Sequence, residues 1–112
     1  MYKEQCVWYT YETIARDPDL YEGTYGKYTG EVIQVLESGS YVELRVNITE
    51  GKYSYSDTIY VTYTMKDGES RILEDDIITI YGVNEGLYSY TSIFGATVTL
   101  PLVKAEYIEL VG

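Results

Sequence analysis

Two glycines inside runs of β-branched and aromatic residues constrain this chain more than anything else in it. Tyr28-Thr29-Gly30-Glu31-Val32-Ile33 and Ile80-Tyr81-Gly82-Val83 each interrupt a strand-like run with a residue that has no side chain. An acidic turn, Glu74-Asp75-Asp76, leads into the second. A glycine in a strand marks a bulge or tight coil, where a sheet bends hard enough to close on itself. Two such points in 112 residues predict a small, highly curved β-barrel.

The pattern along the chain fills in that barrel. Thr10 is placed to cap a short helix over about residues 10–17, with Thr13 at N3 and Tyr11, Ile14 and Ala15 at helical spacing. Asp17-Pro18 ends it, because proline disfavours helical geometry at the preceding residue. Residues 25–37 read as one long strand broken by Gly30, the shape of a strand shared between two halves of a barrel. Ser38-Gly39-Ser40 is a tight turn. Over residues 41–48, Val42, Leu44, Val46 and Ile48 share one face and Tyr41, Glu43, Arg45 and Asn47 the other, the period of a half-buried strand. Residues 58–64 alternate likewise, Ile59, Val61 and Tyr63 opposing Thr58, Tyr60 and Thr62. Residues 50–57 and 85–95 read as long loops and Lys66-Asp67-Gly68-Glu69 as a turn. Arg71 to Asp76 suit one helical turn, 77–84 a fourth strand, and 96–110 a last strand bent at Pro101. The expected fold is all-β: a five-stranded, OB-fold-like Greek-key barrel over about 24–111 with one short N-terminal helix, in a single domain spanning 1–112. An SH3-like barrel and a small sandwich are the rivals.

Charge narrows the partners. Eight basic residues face 18 acidic ones, for a net charge of −10. Affinity for a nucleic-acid backbone comes mainly from Lys and Arg. Here Lys3, Arg16, Lys27, Arg45, Lys52, Lys66, Arg71 and Lys104 are spread thinly along the sequence. Nucleic acid and an anionic membrane surface are both disfavoured on this ground. No stretch is long or apolar enough to span a bilayer, so no membrane insertion by this segment is expected. No signal peptide follows Met1, which leaves a cytoplasmic protein or an excised mature domain.

Catalytic chemistry has little to work with. The chain has no histidine, the usual general base near neutral pH, and one cysteine, so no common zinc pattern and no internal disulfide. Cys6 lies near Lys3, but Val7-Trp8 beside it point to packing rather than a reactive thiol. Glu74-Asp75-Asp76 is the densest carboxylate cluster and lacks EF-hand spacing; a solvated turn explains it. Asn47-Ile48-Thr49 is a glycosylation sequon that reads better as part of a strand. Neither enzymatic activity nor a cofactor or metal is expected.

Ile14-Ala15-Arg16-Asp17-Pro18-Asp19-Leu20-Tyr21-Glu22-Gly23, followed by Tyr28-Thr29-Gly30-Glu31-Val32, resembles the opening of bacterial OB-fold domains of the tRNA_anti-like kind. Asp75-Asp76-Ile77-Ile78-Thr79-Ile80-Tyr81-Gly82 is similar to their fourth strand. Ser70-Arg71-Ile72-Leu73-Glu74-Asp75-Asp76 is similar to extracytoplasmic OB-like domains of Gram-positive bacteria, often tethered behind a lipoprotein signal. The resemblance covers about residues 10–110. It implies an OB barrel, an extracytoplasmic setting and no assigned activity.

In OB-folds the ligand usually meets the second and third strands and the neighbouring loops. Tyr41, Arg45, Asn47 and Tyr60 lie on the outward phase of those strands here, and Tyr53, Tyr55, Tyr88 and Tyr90 on the flanking loops. Aromatic platforms of this kind stack bases, sugars or a partner's side chains. Cross-strand tyrosine pairs that only stabilise the sheet explain them as well, for Tyr60 especially. The expected function is therefore a non-enzymatic module binding a protein or cell-wall-associated ligand through this face, in an extracytoplasmic setting. Two alternatives stand beside it. One is a single-strand nucleic-acid binder, which needs Arg45, Lys52 and Arg71 to converge; the other is a structural spacer.

Overall fold

A computed structural model describes residues 2–111. Its barrel consists of β2 (Tyr25–Ser38), β3 (Tyr41–Glu50), β4 (Tyr55–Thr64), β5 (Ile77–Thr91) and β6 (Thr97–Leu110). The strands run in the order β2-β3-β4-β6-β5, and β5 pairs back onto β2 to close the sheet. The first half of β2, Tyr25–Glu31, pairs with β5, and its second half, Glu31–Ser38, with β3. β4 and β6 run parallel; the other barrel pairings are antiparallel. This closed five-strand order is the OB-fold.

Both glycines sit where the backbones come closest. A Cβ on Gly30 would lie 2.2 Å from the Asn47 carbonyl oxygen, and one on Gly82 would lie 2.3 Å from that of Lys104. The ladders slip register beside them, between Val32 and Gln34 and between Tyr81 and Gly82. Only a residue without a side chain allows the sheet to coil this tightly.

The inward phases of the strands make one core. Tyr28, Val32, Val42, Leu44, Val46, Ile59, Val61, Ile78, Ile80 and Val103 are almost completely buried. Burying a side chain of this kind contributes roughly 1.5–3 kcal/mol over leaving it exposed. Ile14 joins the core beside Tyr21 and Asn84 at one end of the barrel, and Ile72 beside Met65 and Ile108 at the other. The Tyr28 hydroxyl, the one polar group of that core set, donates to the Asn84 side chain, whose amide donates to Thr24.

The expected helix is present as α2 (Tyr11–Arg16), with Thr10 Oγ1 accepting from the Thr13 N–H. Pro18 does more than end it. Proline also suits the first position of a helix, since its missing N–H would lack a partner there anyway. It opens α3 (Pro18–Tyr21). A third helix, α1 (Tyr2–Gln5), and a two-residue strand, β1 (Val7–Trp8), precede them, so among the described residues the single helix expected becomes three. β1 pairs parallel with Gly26 and Lys27 on the free edge of β2.

Three further expectations need correction. The segment 85–95 is largely not a loop. β5 and β6 continue as a hairpin arm to the Thr91–Thr97 pair, and only Ser92–Ala96 form its tip. A bulge between Asn84 and Leu87, with Gly86 at φ +81°, hides the arm from a period-two reading. The loop expected at 50–57 shrinks to residues 51–54, because Glu50 already pairs with Tyr55. Residues 71–76 form no helical turn. Instead the Asp75 N–H donates to the Val32 carbonyl, the Val32 N–H to that of Asp76, and the Asp76 carboxylate caps the Leu73 N–H. The acidic turn therefore staples the β2 bulge.

Candidate ligand-binding face

Five of the eight residues singled out for binding come together on the outer side of β3 and β4. Arg45 and Tyr60 are a cross-strand pair. The hairpin arm folds Tyr88 and Tyr90 against Tyr60, with ring centroids 4.8 and 5.8 Å away, and the two arm tyrosines stack on each other at 6.1 Å. Tyr41 lies two outward positions before Arg45 on β3, 44% exposed. Each such ring contact contributes about 0.5–1.5 kcal/mol beyond its buried area.

Tyr60 points outward but is not wet. The arm leaves it only 7% exposed, so it is the floor of the cluster, and Tyr41, Tyr88 and Tyr90 are its accessible surface. Burial, helped by the nearby Glu43 carboxylate, pushes its phenol well above the ordinary tyrosine value. Arg45 is half-buried. Its Nη1 donates to Gln34 Oε1 at 3.2 Å, while its buried Nε meets no acceptor. A guanidinium has five N–H donors. Held beside the rings with donors to spare, Arg45 can orient an acceptor group on a ligand.

At the Tyr41 end, β4 and β6 part after the Thr62–Lys104 pair and leave a cleft of about 280 Å³ lined by Tyr41, Thr64, Lys104 and Glu106 among others. Lys66 and Lys104 lie beside Glu106 in that lining, so cations and carboxylate meet at this end of the face.

The other three candidates lie elsewhere. Asn47 is engaged inside the hairpin, accepting from Thr58 Oγ1 at 2.6 Å and donating to the Tyr55 carbonyl at 3.3 Å. Tyr55 pairs with Glu50, and burial together with Glu50 and Glu31 raises its phenol. Tyr53 is 89% exposed at the β3–β4 tip, under the Lys52 ammonium. Five residues of extended chain, roughly 17 Å, separate this tip from Arg45.

Arg45, Lys52 and Arg71 do not converge. Lys52 lies beyond the end of β3, while Arg71 pairs with Glu37 at 2.8 Å near its start. Yet the cations are not all dispersed, and here the sequence misled. Lys27 Nζ lies 4.6 Å from the Trp8 ring centroid and 5.2 Å from that of Tyr81. Lys3 sits over Tyr81 and Tyr107 and pairs with Glu109. Lys66 lies 4.9 Å from the Tyr107 ring centroid. Trp8, Lys27, Tyr81 and Tyr107 form one row across β1, β2, β5 and β6, because Trp8 pairs with Lys27, Lys27 with Tyr81 and Tyr81 with Tyr107. Trp8 is 59% exposed on this row rather than packed inside. Cys6 is nonetheless partly buried, and that burial raises its thiol above the ordinary value.

No family model matches the chain, and no curated protein matches it. Among solved structures, an aspartyl-tRNA synthetase from Entamoeba histolytica superposes over 97% of this chain with a TM-score of 0.60 and 17% identity. The chain spans 22% of that synthetase's length. Likeness at this identity speaks for the fold, and agrees with the strand order above. The mitochondrial single-stranded DNA-binding protein of S. cerevisiae matches 80% of this chain more loosely, at a TM-score of 0.49 and 10% identity.

Proposed function

We propose that this chain is a non-enzymatic binding module of the OB type, working outside the cytoplasm. Its ligand, a protein or a cell-wall-associated glycan, lies across the β3–β4 face. The carrying observation is the Tyr60–Tyr88–Tyr90 cluster beside Arg45, with Tyr41 at its edge. Rigid rings offer large contact area at small cost in side-chain entropy, and a guanidinium with unused donors fixes the orientation of what they hold. Tyr41→Ala combined with Tyr88→Ala removes two accessible rings and leaves Tyr60 in place. Loss of partner capture by this variant, with its circular dichroism unchanged, is the expected result; undiminished capture contradicts the proposed face.

A second reading, a single-strand nucleic-acid binder, is favoured by the cation–aromatic row. Lys27 is held there between Trp8 and Tyr81, with Lys3 and Lys66 beside it. Phosphate contacts weaken steeply with salt. Quenching of Trp8 fluorescence by an oligothymidylate at low salt, reversed by added salt, supports this reading; no quenching at low salt removes it.

A further inference from the structure

We propose that the ligand of the β3–β4 face is a protein that presents a single carboxylate, and that Arg45 grips it through Nε and Nη2. The proposal rests on the reading of that face as the binding site and adds the chemistry of what it holds.

An orphaned donor carries it. Arg45 Nε is shut off from solvent and no group of the chain accepts from it. Among the described residues, no other buried side-chain nitrogen or oxygen is left in this way. A buried polar group without a partner is costly, more so when it is charged, and folded proteins rarely keep one without a reason. What lacks a partner here is a whole edge of the guanidinium. Nη1, on the stem side, donates to Gln34 Oε1 at 3.2 Å. Nε and Nη2 share the other edge, with N–H bonds pointing the same way, and the chain offers neither an acceptor. Glu43, one outward position before Arg45 on β3, forms no ion pair with it.

The molecule itself shows what such an edge takes. Arg71 turns the same two nitrogens to Glu37, Nη2 donating to Oε1 at 2.8 Å and Nε to Oε2 at 3.3 Å. Two parallel donors match the two oxygens of a carboxylate, the pairing that makes arginine selective for such groups. Arg71 does this at the surface with a partner of its own. Arg45 holds the same fork beside the Tyr60, Tyr88 and Tyr90 rings, where the bond is shielded from water and stronger for it. The side chain as a whole is only half-buried, so a small turn of the guanidinium brings that edge to a group lying against the rings.

Charge selects the carrier. A phosphate offers the same paired oxygens with up to about twice the charge. An acidic glycan repeats its carboxylates along its length. Both meet the full repulsion of a molecule with a net charge of −10. A single carboxylate set in an otherwise neutral or basic protein surface does not. Tyrosine and arginine together are also the residues that anchor protein interfaces.

Only Arg16, Arg45 and Arg71 can give arginine Nε–H signals in a proton–nitrogen NMR spectrum. Arg45→Lys, which keeps the charge and drops the fork, identifies the Arg45 signal. Three capped peptides are the probes. Acetyl-glutamyl-phenylalaninamide carries a side-chain carboxylate, acetyl-glutaminyl-phenylalanine a chain-end one, and acetyl-glutaminyl-phenylalaninamide neither. At least one of the first two moves the Arg45 signal downfield, and which of them does so tells side chain from chain end. The neutral peptide and inorganic phosphate leave it in place, and the Arg16 and Arg71 signals do not follow. Arg45→Lys, with its circular dichroism unchanged, weakens binding of the responsive peptide by about tenfold or more, read from the tyrosine ring signals. No movement at millimolar peptide overturns the proposal. So does equal movement with the neutral peptide or with phosphate, or undiminished binding by Arg45→Lys. Capture from cell extract separates this failure from failure of the face. Capture kept by Arg45→Lys but lost by Tyr41→Ala with Tyr88→Ala leaves the face standing and removes the carboxylate. Capture kept by both variants removes the face, and a glycan as the captured partner overturns the choice of a protein.

Discussion

Gly30 and Gly82 set the curvature of this molecule, and each can be tested alone. An added methyl group at either meets carbonyl oxygen and backbone carbon rather than a side chain that can swing aside. Gly30→Ala and Gly82→Ala are each expected to lower stability by about 2–3 kcal/mol, as overpacking does. Urea denaturation checks this; a loss below half a kcal/mol at both would mean that the close approaches relax freely. The buried pair of Tyr28 and Asn84 makes a different kind of point. Tyr28→Phe strips the Asn84 carbonyl of its donor in a site 4% exposed, at a cost of about 1–3 kcal/mol. Tyr28→Phe with Asn84→Leu removes both halves and should recover part of that loss. At this scale the sequence was most readable. A glycine where backbones touch needs no knowledge of distant neighbours, and Thr10 caps a helix three residues away.

Elements were legible where alternation was unbroken. β3 and β4 follow the period-two reading closely, and Val42, Leu44, Val46, Ile59 and Val61 are all buried as their phase demands. The hairpin arm was missed because the bulge at Gly86 shifts the phase, and because its Ser, Thr, Gly and Tyr residues read as loop chemistry. α3 was missed because Pro18 was weighed as a stop and not as a start. The arm's effect on the site is testable on its own terms. Tyr88→Ala with Tyr90→Ala uncovers Tyr60, whose phenol then titrates closer to its ordinary value, since burial is the main cause of its rise. Ultraviolet titration of tyrosine ionisation against Tyr60→Phe as reference measures this. An unmoved Tyr60 would mean that the arm does not cover it in solution.

Across the whole molecule, what the sequence could not show is what crosses between strands. The row of Trp8, Lys27, Tyr81 and Tyr107 depends on three pairings that join residues far apart in the chain. Cations that look scattered in order are neighbours in register. The pH dependence of stability is also a whole-molecule property. Glu37, beside Arg71, Glu69, which accepts the Lys66 N–H and the Tyr63 hydroxyl, and Glu109, paired with Lys3, all have lowered pKa values. Their contribution is complete above the ordinary carboxylate value and fades as pH falls through the depressed native values. Tyrosines behave in the opposite sense. Burial raises Tyr2 to about 12, and raises Tyr28, Tyr60 and Tyr63 as well. They favour the fold below about pH 10, and that contribution is lost as pH climbs toward the raised values. Thermal denaturation across pH should show a plateau with falls on both sides. Glu69→Gln should flatten the acid fall, and an acid limb unchanged by it would detach Glu69 from that role.

The binding face is the central claim. Its most direct test is capture from cell-envelope extract and lysate, at low and high salt, by the unaltered chain and by the Tyr41→Ala, Tyr88→Ala variant in parallel. Mass spectrometry and nucleic-acid staining of the eluates give the readout. The account predicts a protein or glycan held through high salt by the unaltered chain and lost by the variant. Equal capture by both, or an eluate holding only nucleic acid that salt removes, would contradict it.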